Sequence, residues 1–320
     1  MNEHSVVRPI QTVAADVVQP GDVLLMRGRS ELSTLIAWAS DSVYSHSAVM
    51  ADDGRLYESI THGIMSVPLA PRLAEGSPVY LVDAFRPVAY DRSPLSEQER
   101  AQVVAHGTGL LGLQYATSEL AMIGIVVAVR GKSFPGAPMW LRSVLRAAFD
   151  SLLSDDAGKM TCSEFVYRCF AENAARPKGR LAPEIVVTPP PDPPLPYTGN
   201  VRKLIEEVWS LLRPQHKARF LQTEVDMAGS ATPTDLERRI GDVSAAELEA
   251  LASEVRARLG IGEQVPAQFK SAARSALQGL PEAVLPFAAT HPKGVSPGDL
   301  ARTPSHQPLG RLMQAPDWHG

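Results

Sequence analysis

The sequence predicts an α+β protein, in which an antiparallel sheet packs against a helix that begins at a cysteine, with further helical segments added. Three observations predict it. SHSAVMADDGRLYESI (45–60) is two apolar runs around an Asp-Asp-Gly turn, the pattern of a β-hairpin. PGDVLLMRG (20–28) and PVYLVDAFRP (78–87) read as further strands, the first entered by a turn and the second closed by Pro87. Capped helical patterns stand apart from these strands, at 94–112 and 160–174 and again beyond residue 200.

Each element has a local reason. SELSTLIAWAS (30–40) is a helix with Ser30 as N-cap and Leu32, Leu35, Ile36 and Ala39 along one face. PLSEQERAQVVAHGTGLLG (94–112) opens on a Ser96–Glu99 capping box and closes at glycine. MTCSEFVYRCFAENA (160–174) opens the same way, on Thr161 and Glu164. APEIVVTPPPDPPLP (182–196) is proline-rich and reads as an extended connector. VRKLIEEVWSLLR, TDLERRI, SAAELEALASEVRARLG and AQFKSAARSALQGL carry helical patterns, and the 291–320 tail is rich in proline and glycine.

Composition bounds the function. Hydrophobic residues make up 44% of the 320 and charged ones 21%, enough to fill a core and too apolar for wholesale disorder. A net charge of -4 argues against nucleic acid as a partner. The opening stretch lacks a long apolar core behind basic residues, so no secretory signal is expected, and no apolar run reaches membrane-spanning length. The two cysteines, Cys162 and Cys169, lie two turns apart on one helix, about 10 Å and too far for a disulfide. Free thiols fit a cytoplasmic location. Neither a metal-ligand spacing nor a cofactor motif is present. LAMIGIVVAV (120–129) and MWLRSVLRAAFDSLL (139–153) read as a buried helix and an amphipathic one, with peripheral membrane contact as the alternative.

The chemistry concentrates in three residues. Cys162 falls in the first turn behind Thr161, where unpaired N–H groups and the helix dipole favour an anionic sulfur. A structural thiol is the competing reading, and it is the one adopted for Cys169, which lies among Phe165, Val166 and Phe170. Of the eight histidines, His46 alone begins an apolar strand among small neighbours. The register of the hairpin decides whether Glu58 can reach it. A three-residue loop, Asp52–Gly54, sets Ala48 opposite Glu58 and makes His46 and Glu58 diagonal neighbours on one face, roughly 7 to 8 Å apart at Cα. A two-residue turn would put them on opposite faces. An exposed strand glutamate is the alternative for Glu58.

PGDVLLMRG, YSHSAVMADDGRLYES and, about 100 residues on, MTCSEFVYRCF together resemble the circularly permuted papain-like cysteine hydrolases. These are the YiiX-like branch of the NlpC superfamily, related to lecithin retinol acyltransferase. The resemblance covers roughly 15 to 175 and implies a permuted papain-like (NlpC-type) fold. It implies His46 as base, Glu58 as its orienter and Cys162 as nucleophile, acting without a cofactor or metal. GLQYA (112–116) resembles the family's Gly-x-x-Tyr segment, which makes Tyr115 a candidate support for the oxyanion pocket. VSPGDLARTP (295–304) resembles the segment that closes the family's domain. The expected organisation is therefore a 15–198 core carrying a 116–155 helical insertion, a 199–290 helical insertion or extension, and a 291–320 tail that closes the core. The expected substrate is a peptide, isopeptide or lipid acyl group. Hydrolysis, acyl transfer at the same site, and a non-catalytic scaffold remain open at this point.

Overall fold

In the computed structural model, the described residues are 11–60, 63–113, 160–187, 197–211, 244–258, 283–285 and 292–318, with eleven further positions between 123 and 149. The elements run β1 (Val23–Gly28), α1 (Glu31–Ala39), β2 (His46–Met50), β3 (Arg55–Ile60), β4 (Gly63–Pro68), α2 (Ala70–Leu73), β5 (Val79–Pro87) and α3 (Glu97–Gly109). After these come α4 (Cys162–Ala171), β6 (Ile185–Val187), α5 (Val201–Leu211), α6 (Ala245–Arg258), β7 (Ala283–Leu285), α7 (Pro297–Arg302) and β8 (His306–Gln314). The fold is α+β. Six strands form one sheet in the order β4-β3-β2-β1-β5-β8, every neighbouring pair antiparallel.

Central strand β1 is buried on both faces, which is why its sequence is an unbroken apolar run. Leu24 and Met26 pack with Ala48, Leu56 and Val82 on one side. Val23 and Leu25 pack with Val49, Leu81 and, from α4, Phe165, Val166 and Phe170 on the other. Phe165 is fully enclosed, so Phe165→Ala is expected to cost about 3–5 kcal/mol.

Two buried carboxylates clamp this core. Asp22 accepts from Arg86 and Arg100, which ties α3 to the start of β1. Asp83 accepts from the Tyr44 hydroxyl at 2.7 Å and, through both oxygens, from Arg311 of β8. The late strand is thus fixed to β5 by ladder and ion pair together. Residues 11–13 lie along β8, and Gly310 is required there: a Cβ would stand 2.6 Å from the Gln11 carbonyl oxygen.

The helices beyond residue 200 attach through a helix start. Glu207 of α5 accepts from the backbone N–H groups of Glu31 and Leu32, at 3.1 and 3.0 Å, in the first turn of α1. In the 116–155 stretch the described apolar positions, among them Ile123, Val127, Leu145 and Phe149, are buried. Arg256 of α6 donates to the Ala128 carbonyl at 2.9 Å, and a Cβ on Gly124 would lie 3.2 Å from the Ala148 oxygen. These positions therefore face protein. Among the described residues no helix is long and apolar enough to cross a membrane. TDLERRI and AQFKSAARSALQGL lie outside the described residues.

Candidate active site

Helix α4 begins as its sequence dictates. The Thr161 hydroxyl accepts from the Glu164 N–H at 3.2 Å, and Glu164 accepts in return from the Thr161 N–H at 3.4 Å. Cys162 is therefore the first helical residue, and it is 2% exposed. The turn around it is pinned from both sides. Ser59 of β3 donates to the Met160 carbonyl at 3.1 Å, Ser163 donates to the Val295 carbonyl at 2.6 Å, and Lys293 pairs with Glu164 at 3.4 Å. Both cysteines are free. Cys169 lies two turns on in the apolar core, where burial pushes its thiol far up, so it stays protonated.

His46 arrives from the sheet. The residue before it is locked to β1: the Ser45 N–H donates to the Met26 carbonyl, and the Ser45 hydroxyl accepts from the Gly28 N–H at 3.0 Å. In β2 and β3, Ala48 stands opposite Glu58, and the Ala51 N–H donates to the Arg55 carbonyl at 2.8 Å. Asp53 and Gly54 both take positive φ, 54° and 68°, in the loop that sets this register. The β2–β3 ladder ends at Ala48–Glu58, so His46 extends past its last pair. Its ring reaches diagonally to Glu58, Nε2 to Oε2 at 2.7 Å, and Glu58 has no exposure.

The same imidazole lies within hydrogen-bonding and electrostatic reach of Cys162. With Nε2 taken by Glu58, Nδ1 is the nitrogen left for the thiol. Burial alone would push the His46 imidazolium down, but Cys162 and Glu58 together outweigh it and lift the group to about 10. Burial likewise works against the Glu58 carboxylate, yet His46 and then Arg72 hold it down to about 2. In a thiol, a ring and a carboxylate in series, the ring can take the thiol's proton while the carboxylate keeps one ring tautomer.

Arg72 of α2 carried no signal in the sequence. It sits in a single-turn helix with no capping pattern and donates through Nη2 to the second oxygen of Glu58. His306, in the proline-rich tail, is a core residue: its Nδ1 pairs with the Leu300 carbonyl at 2.8 Å, and burial lowers it to about 4. His106 stands beside Glu172 at 3.9 Å. Tyr115 lies outside the described residues, as do His4, His62, His216, His291 and His319. Among the described residues no cluster of three or more His, Cys, Asp or Glu is placed to hold a metal ion.

No family model and no curated protein matches the chain. Among solved structures, the crystal structure of the metalloprotein yiiX from Escherichia coli O157:H7 is similar to it, covering 92% of this chain and 98% of that one at 13% identity, with a TM-score of 0.38. A likeness of that strength bears no weight beside the geometry.

Proposed function

We propose that the protein is a cysteine hydrolase that cleaves an amide or ester acyl bond through a Cys162–His46–Glu58 triad. One observation carries this reading: an enclosed carboxylate holds one nitrogen of a ring that lies within electrostatic reach of a thiol at a helix start. A packing account gives no reason to gather these three groups at the cost of burying Glu58 completely.

In this reading the Cys162 sulfur, its proton held by His46, attacks the acyl carbonyl carbon. The C–S bond forms as the carbonyl π pair moves to oxygen, and the N–H of Cys162 donates to that oxyanion. Collapse expels the leaving amine or alcohol, which takes the proton from Nδ1 of His46. A water molecule, deprotonated by the now neutral ring, then splits the thioester and restores the thiol. Glu58 keeps Nε2–H pointed away from the thiol throughout.

The test compares wild type with Cys162→Ala on activated thioester, amide and ester substrates. We expect wild type to turn over at least one class and Cys162→Ala to lose that activity by about a thousandfold or more. Full activity in Cys162→Ala would overturn the mechanism.

A further inference from the structure

The second oxygen of Glu58 is taken by Arg72, which the sequence motifs do not include. The backbone of Arg72 is held at both ends. Its N–H donates to the Leu69 carbonyl at 2.8 Å, and its own carbonyl accepts from the Ser77 hydroxyl at 2.8 Å. Leu69 in turn donates to the Gly54 carbonyl at 2.9 Å, so the arginine is anchored to the loop that sets the β2–β3 register. Glu58 therefore sits between the His46 imidazole at one oxygen and the Arg72 guanidinium at the other, with no exposure.

We propose that Arg72 is a positioning residue of this site: a permanent counter-charge that keeps Glu58 ionised and in line while His46 cycles between charged and neutral. The inference rests on the proposed triad. When His46 gives its proton to a leaving group, Glu58 would become a buried carboxylate without a cationic partner, and that penalty would oppose the transfer. A guanidinium keeps its charge where an imidazole does not, so the carboxylate stays paired at every stage. With both oxygens engaged, Glu58 has no freedom to rotate away from Nε2.

Among the described residues, the titratable groups facing Glu58 are His46 from β2 and Arg72 from α2. Its ladder neighbours Ala48 and Met65 do not titrate, and Cys162 of α4 reaches it through the ring. Removing Arg72 therefore leaves one outcome for the carboxyl: it takes up a proton at higher pH than before.

The experiment measures kcat/KM and the iodoacetamide alkylation rate of Cys162, each against pH, in wild type, Arg72→Gln, Arg72→Lys, Glu58→Gln and the double variant Arg72→Gln/Glu58→Gln. Arg72→Gln should lower kcat/KM by about 10- to 100-fold, chiefly in kcat, and move the acidic limb of both profiles up by a pH unit or more. Arg72→Lys should recover most of the rate and the limb. In the Glu58→Gln background, Arg72→Gln should cost less than twofold more, because its target is already gone. Equal costs in both backgrounds, or unmoved limbs in Arg72→Gln, would overturn the role of Arg72 while leaving the triad standing. Alkylation of wild-type Cys162 no faster at neutral pH than a free thiol would instead bring down the triad, and Arg72 with it. Because alkylation needs no substrate, the two failures are told apart.

Discussion

A buried imidazole and a half-buried one face opposite fates in this chain. His306 is enclosed among Leu300 and Phe170, with its Nε2 lacking a hydrogen-bond partner among the described residues, and burial drives it down to about 4. His46 is also largely enclosed, yet it rises to about 10, because Cys162 and Glu58 are placed against its ring. The comparison teaches that burial sets a cost and charged neighbours decide its sign. It also separates a packing histidine from one whose charge the surroundings preserve, a distinction that spacing in the sequence does not draw.

The largest break in that comparison comes from deleting each ring. His46→Gln is expected to reduce kcat/KM by about three orders of magnitude or more, and His306→Asn by less than about twofold, in initial rates on an activated substrate. Similar losses in both would mean that His46 acts through packing. Glu58→Gln is the next step down. It keeps the shape of the site but removes the charge, and about a hundred- to thousandfold loss is expected.

A smaller and sharper effect lies in stability against pH, read by denaturant melts. Folding raises His46 above its ordinary value of 6.5, so its contribution is complete below about pH 6.5 and is lost as pH rises through about 10. His306 is lowered by folding. The unfolded chain alone binds that proton between about pH 6.5 and 4, so stability falls as pH drops through that window. His46→Gln should therefore flatten the alkaline side and His306→Asn the acidic side, each by about 1–3 kcal/mol across its window. Glu58, lowered to about 2, adds a loss below about pH 4.5 that Glu58→Gln should remove. Identical curves for the two histidine variants would erase the contrast.

Local rules made much of the fold legible. The Thr161, Ser96 and Ser30 caps start α4, α3 and α1 where the sequence puts them, since a cap needs only residues three apart. The three-residue hairpin loop fixed which residues oppose each other, and with that the meeting of His46 and Glu58. Contacts made at long range were not legible. β8 looks like a proline- and glycine-rich tail because its strand character comes from β5 and Asp83, more than two hundred residues earlier. The place of His306 in the core was not legible, because nothing beside it in sequence shows that Phe170 and Leu300 enclose it. Arg72 was invisible for the same reason: one turn of helix carries no periodicity, and its partner sits two strands away.

The anchors on either side of Cys162 have a consequence for timing. Lys293 and Val295, which steady the first turn of α4, leave the ribosome about 130 residues after the thiol they hold, and Arg311 later still. A growing chain thus carries its sulfur, ring and carboxylate long before it can seat them. The first turn behind Cys162 can be pinned only once Lys293 and Val295 have been made.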